Sequence, residues 1–272
     1  MTSEDSLPKV SIGMPAYNSE RSIRAALDSL LNQSYGKFEL IISDNHSSDH
    51  TADICREYKD TDSRVVYFRQ NTNLGAARNF QFVKDAARGE YFMWAAADDS
   101  WGNRFVATCL DCLETHPRAV GAITGTQFGS TNRGESGSTP ISSKWSFIRR
   151  NRFLMNPGPN ARFYSLFRMA KIREMDFGTY DFHAGDWAFI FDVLSKGDLL
   201  RVSDYCGFFK DNSGLGSNKA ATVRRLQTDR VPKSFPLIQL ARHVLKGDPF
   251  TGILHLPALA IANFKNYKYI YW

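Results

Sequence analysis

Asp98 and Asp99 stand side by side at the end of Tyr91-Phe92-Met93-Trp94-Ala95-Ala96-Ala97, a run of seven apolar residues. Adjacent carboxylates repel unless a cation lies between them and a partner, and a divalent metal on a phosphate is the simplest such cation. A local use competes: one acid could cap a helix beginning near Ser100. A cap needs only one acid, so the pair argues for a metal–phosphate site. Other polar clusters share its placement. Residues 15–18, 44–49 and 71–75, rich in Asp and Asn, also follow directly on apolar runs. By contrast, Cys109 and Cys112 form a lone C-x-x-C with no second pair, which speaks against zinc.

Strands and helices must bring such clusters together. Residues 10–14, 38–43, 65–68 and 91–97 read as strands, each bounded by polar residues. Between them, Ile23, Ala26, Leu27, Leu30 and Leu31 keep helical spacing, as do Ala52, Ile54, Cys55 and Tyr58, then Phe80, Val83 and Ala87. A helix over about 103–115 and a strand at 120–124 follow. Alternation of this kind predicts an α/β fold, a mostly parallel central sheet flanked by helices. In such a sheet the four polar clusters line one edge, where ligands bind.

The later chain is less regular. Residues 125–144 read as a mobile, Gly- and Ser-rich loop. Residues 148–153 are basic, fitting either a solvated face or a phosphate grip. A returning strand is expected over 162–169, a helix over 187–194, a strand pair over 200–210 and a loop over 212–217. Residues 232–272 read as a helical tail whose final aromatics and lysines suit either a membrane interface or packing on the domain.

The totals bound the partners. With 272 residues, 43% hydrophobic, the chain can bury a core without staples. A net charge of +6 suits an anionic partner. Four cysteines are too few for a disulfide scaffold, so reduced thiols in a cytoplasmic protein are expected. From the polar, acidic first nine residues no signal peptide is expected, and no apolar run reaches eighteen residues. The basic residues are dispersed and no nucleic-acid module appears, so no nucleic-acid partner is expected.

Five motifs, in this order and spacing, resemble the inverting glycosyltransferases of family 2. They are Met14-Pro15-Ala16-Tyr17-Asn18, Ser43-Asp44-Asn45-His46-Ser47-Ser48-Asp49, Asn73-Leu74-Gly75-Ala76-Ala77-Arg78-Asn79, Ala96-Ala97-Asp98-Asp99 and Gly185-Asp186-Trp187. The resemblance implies a GT-A nucleotide-binding fold over residues 1–220. Its donor half would cover about 8–125 and its acceptor half about 126–220, with residues 221–272 as a helical, aromatic-basic extension. It implies a nucleoside-diphosphate-sugar donor, a UDP-sugar favoured, and a glycan or lipid-linked glycan acceptor of surface polysaccharide. Pro15, Ala16, Tyr17 and Asn18 would approach the nucleoside, with Tyr17 on the base. Asp44 and Asn45 would meet the base, Arg78 the pyrophosphate, and Asp98 the ribose or sugar. Asp99 would coordinate Mn²⁺ or Mg²⁺. Asp186 would be the general base, with Asp181 and His183 in reserve; an N-cap is its alternative use.

Two departures stand out. Ala96 occupies the place where relatives often carry a first acid, and Asp211 and Asn212 fall where many have a histidine. They keep open an inactive nucleotide-sugar or glycan-binding protein. A nucleotidyltransferase is the other alternative, though 15–18 is not its Gly-rich phosphate loop. Localisation is expected to be cytoplasmic, peripheral on the inner face of the plasma membrane through the tail.

Overall fold

The structure, a computed structural model, describes residues 7–128, 138–210, 219–247 and 249–271. Its first half alternates strand and helix: β1 (Val10–Ala16), α1 (Ile23–Leu31), β2 (Phe38–Asp44), α2 (Thr51–Thr61), β3 (Val65–Arg69), α3 (Ala76–Asp85) and β4 (Tyr91–Trp94). Local sequence explains these elements. Ile23, Ala26, Leu27 and Leu30 give α1 one buried stripe. All seven residues of β2 are buried, as suits a strand covered on both faces. Its one interior acid, Glu39, accepts from Ser11 and from Arg88.

β5 (Ser100–Trp101), α4 (Phe105–Thr115), β6 (Ala119–Phe128), α5 (Ser146–Met155), β7 (Leu166–Arg168), α6 (Met169–Ile172), α7 (Gly185–Lys196) and β8 (Asp198–Lys210) follow. Four helices close the chain: α8 (Lys219–Thr228), α9 (Ile238–Gly247), α10 (Pro249–Leu254) and α11 (Leu256–Tyr271). The strands form one sheet in the order β3-β2-β1-β4-β7-β6-β8-β5. β1 to β4 are mutually parallel, β7 opposes both its neighbours, β6 and β8 are parallel, and β5 opposes β8. The chain winds outward from β1 to β3, then crosses to β4 on the other side of β1. In open α/β sheets ligands bind outside the strand ends at such a reversal.

Several expectations are corrected. The strand expected through Ala97 stops at Trp94: Ala95 and Ala97 are apolar because they are buried, not because they are extended. Neither acid caps a helix near Ser100. Instead, Ser100 and Trp101 pair with Phe209 and Phe208 of β8, and α4 starts at Phe105. The strand pair expected over 200–210 is one strand, β8, with irregular register against β6. The returning strand over 162–169 is short, preceded by a 3-10 turn at Ala161–Tyr164.

The basic cluster grips protein. Arg149 donates to the carbonyls of Leu194 and Ser143, and Arg150 lies 4.3 Å over the Phe191 ring. Part of the loop expected over 125–144, residues 129–137, lies outside the described residues, as do Asp211 and the 212–217 loop. Cys55 and Cys109 are buried free thiols. Burial pushes Cys55 up to about 12.

The tail packs one face on the domain. Leu240, Val244, Ala258, Leu259 and Ala262 join the same apolar cluster as Phe189 and Ile190 of α7. No helix among the described residues is long and apolar enough to cross a membrane.

Candidate active site

Strand register assembles the site. Ala16 lies opposite Asp44, Asp44 opposite Arg69, and Gly13 opposite Trp94. The carboxyl ends of four parallel strands therefore share one edge. A Cβ on Gly13 would meet the Phe92 ring at 2.8 Å, so glycine here is what lets β1 lie against its neighbours.

Asp44 is fully buried. Its Oδ1 accepts from the Ser47 N–H at 2.9 Å and its Oδ2 from the Tyr67 hydroxyl at 3.1 Å, with Arg69 Nε at 3.9 Å. The Ser47 bond closes the turn that follows β2, and Tyr67 and Arg69 are partners that no motif in the sequence marks. Burial and the nearby Asp44 charge push the Tyr67 hydroxyl up, keeping it a donor. Asn45 is equally committed: its amide donates to Asn73 and to the Gly75 carbonyl, and its Oδ1 accepts from the Leu74 N–H. It clamps the 73–75 loop, where Gly75 at φ 81 starts α3.

Asn18, in left-handed backbone, locks onto the 47–48 turn through Ser47 and Ser48. Beside it Tyr17 is 50% exposed, a ring free to meet a planar ligand. Asp49 accepts from the Glu20 and Thr51 N–H groups, which ties the 49–51 turn to the segment before α1. Arg78 is exposed in the first turn of α3 and pairs with no acid among the described residues.

The acid pair sits just beyond β4. The Ala95 N–H still bonds the Gly13 carbonyl at 2.8 Å, after which the chain turns through Ala97 and Asp98. Asp99 is 3% exposed and Asp98 part-buried. Among the described residues no three His, Cys, Asp or Glu side chains converge into a cage. Two adjacent carboxylates fit a hard divalent cation that takes its remaining ligands from phosphates and water, the usual way of holding Mg²⁺ beside a nucleotide.

Asp186 lies in the first turn of α7, but the N-cap is Ala184, so the capping reading falls. Its Oδ2 accepts from Asn160 Nδ2 at 2.8 Å. Asn160 is 2% exposed, in left-handed backbone, and its own buried Oδ1 has no partner. Water reaches Asp186, yet desolvation by the surrounding protein is the strongest influence on it and pushes its carboxyl above the ordinary aspartate range. Asn160 and His183 pull the other way.

The two reserves are engaged elsewhere. Asp181 pairs with Arg225 of α8 at 2.7 Å, and His183 Nε2 lies 3.1 Å from Asn266 Oδ1 of α11. Sequence reading missed Asn160; the one local signal was its place in Pro157-Gly158-Pro159-Asn160, a turn that tolerates left-handed backbone.

One aromatic cluster ties acids to base. Trp94, at the end of β4, lies 5.3 Å from the ring of Phe189 on α7, edge to face, and 4.8 Å from Phe177. Its indole N–H donates to the Phe80 carbonyl. The last residue of β4, four residues before the acid pair, thus touches the helix that carries Asp186.

The family model described as Glycosyl transferase family 2 matches residues 11–195. The chain is 26% identical over 219 residues to the GalNAc(5)-diNAcBac-PP-undecaprenol beta-1,3-glucosyltransferase of Campylobacter jejuni, a match covering 79% of this chain and 70% of that one. Five other curated relatives are matched over only 14 to 41% of their own length. Among solved structures, S. aureus TarS 1-349 in complex with UDP-GlcNAc superposes with a TM-score of 0.64 at 17% identity, covering 96% of this chain and 83% of that one. The mannosyltransferase PcManGT from Pyrobaculum calidifontis, in complex with GDP-Man and Mn²⁺, gives 0.60 at 17% identity, covering 94% and 74%. At such identity the likeness is one of fold.

Proposed function

Since the chain belongs to glycosyl transferase family 2 and has the GT-A fold, we propose that it moves one sugar, with inversion, from a nucleoside-diphosphate donor to an acceptor hydroxyl. A UDP-sugar is the favoured donor, in keeping with the UDP-GlcNAc bound by TarS. The acceptor is a glycan or lipid-linked glycan of surface polysaccharide, by analogy with the undecaprenol-linked substrate named for the Campylobacter relative. The enzyme would work in the cytoplasm, peripheral on the inner face of the plasma membrane.

The observation that carries this reading is the pairing of Asp98 and Asp99 at the strand edge with a desolvated, accessible Asp186 held to the same aromatic cluster. Tyr17, with Pro15, Ala16 and Asn18, lines the nucleoside side, and Asp44 faces the base. Asn45 contributes by clamping the 73–75 loop that leads to Arg78, and Arg78 takes the pyrophosphate. Asp98 contacts the ribose or donor sugar, and Asp99 is the metal ligand. Mn²⁺ or Mg²⁺, when bound there, neutralises charge on the departing diphosphate. Asp186 takes the proton from the acceptor hydroxyl as that oxygen attacks the anomeric carbon. Attack opposite the diphosphate inverts the centre.

The test is incubation with Mn²⁺ and a panel of nucleotide sugars, with and without acceptor sugars, following nucleoside diphosphate. Its release supports transfer. Pyrophosphate release from a nucleotide and a sugar phosphate would instead make the protein a nucleotidyltransferase. Donor binding without turnover on any acceptor would make it an inactive binder, the outcome Ala96 keeps in view.

A further inference from the structure

We propose that the outer face of α11, with the corner that joins it to α10, docks on an anionic phospholipid bilayer. The proposal rests on the reading of the protein as a transferase with a lipid-linked acceptor, and it specifies the surface that meets the lipid.

Helical spacing divides α11 in two. Ala258, Ala262, Asn266 and Ile270 turn inward and are buried. Ile261 and Phe264 face outward, Phe264 at 63% exposure, with Lys268 reaching 6.0 Å from the Phe264 ring. Exposed Ile253, Leu254 and Leu256 extend this edge around the corner. Contiguous exposed apolar side chains on a soluble fold mark a contact surface.

Charge selects the occupant. Residues 219–272 hold nine Lys and Arg against two Asp and no Glu, whereas the rest of the chain holds 25 Lys and Arg against 26 Asp and Glu. The net positive charge of the protein therefore resides in the segment that carries the apolar edge. Apolar side chains with lysines alongside are the pattern of an interfacial helix on anionic lipid. The same helix also reaches the candidate base. Asn266, on its inner face, lies 3.1 Å from His183, three residues before Asp186. Little more than the thickness of one helix, ~10 Å, then separates docked lipid from the loop leading into the base, which suits an acceptor anchored in that lipid.

The experiment is flotation of the full chain with vesicles of phosphatidylcholine alone and of phosphatidylcholine with phosphatidylglycerol, at low and high salt. Binding is expected to the anionic vesicles only and to fall with salt. Lys268→Glu is expected to weaken it at least about fivefold, and Phe264→Ser about tenfold, both with unchanged thermal unfolding. No binding by the wild-type chain, equal binding to both vesicles, or variants that bind like wild type would overturn the proposal. So would a self-association seen by sedimentation and abolished by Phe264→Ser, which would assign the face to a second copy. Nucleoside-diphosphate release with a water-soluble acceptor, measured without vesicles, separates the two readings. Transfer without docking sinks only the docking surface; docking without transfer sinks only the transferase reading.

Discussion

A carboxylate acts as a base only when ionised, so transfer should fail as pH drops through the folded-state pKa of Asp186. Desolvation raises that value, so the acid limb of the pH–rate profile should lie above the ordinary aspartate range. Asn160→Ala removes a donor that favours the charged form. The limb should then move to higher pH, read from the pH–rate profiles of the two proteins. A merely structural asparagine would lower stability and leave the limb where it was. Asp186→Asn should keep donor binding and reduce turnover by about 10² to 10⁴; near-wild-type transfer would remove Asp186 from its role. For Asp99→Ala the expected loss is metal-dependent donor affinity, read by calorimetry with and without Mn²⁺. Unchanged affinity would rule out Asp99 as the ligand. At this scale the sequence offered candidates wherever a motif placed an acid after an apolar run. It was silent on Asn160, because a side chain 26 residues from its partner leaves no spacing to read.

Elements decide whether those residues meet. Trp94 couples β4 to α7 through its ring contact with Phe189, so Trp94→Ala should cost about 3–5 kcal/mol in stability. Turnover should fall even below the melting range, because the acid pair and the base lose their common anchor. If calorimetry showed the lower stability but kinetics at low temperature were normal, the coupling would be refuted. The start of α7 is equally constrained. A Cβ on Gly185 would lie 1.7 Å from the Tyr180 carbonyl oxygen, so Gly185→Ala must displace the turn that aims Asp186. That glycine belongs to the Gly185-Asp186-Trp187 motif, and crowding against the backbone of Tyr180, five residues upstream, is the physical reason for it. Strand ends were harder to read. Ala95 and Ala97 looked extended from composition alone, whereas the chain had already turned toward β8.

At the scale of the molecule, α8 to α11 do more than trail behind the sheet. They add Leu240, Val244, Leu259 and Ala262 to the cluster around Phe189, and they bond Asp181 and His183 in the segment that leads into α7. A chain ending at residue 220 should therefore unfold at lower temperature and lose transfer, measured by thermal melting and diphosphate release. Full stability and activity in that shortened chain would show that the first 220 residues form a self-sufficient unit.

Periodicity and the order of apolar runs sufficed for the alternating strands and helices of the first half and for the shared edge of their polar clusters, because those signals are local; the family was legible through the five motifs that resemble it. Tertiary structure alone decided the order of the strands around β7, the turn that ends β4, the partner of Asp186 and the two-faced use of α11. Each of these rests on contacts between residues far apart in the chain. The physical reason is the same throughout: burial and hydrogen-bond satisfaction are properties of the packed chain, and a one-dimensional pattern carries them only where neighbours in sequence are also neighbours in space.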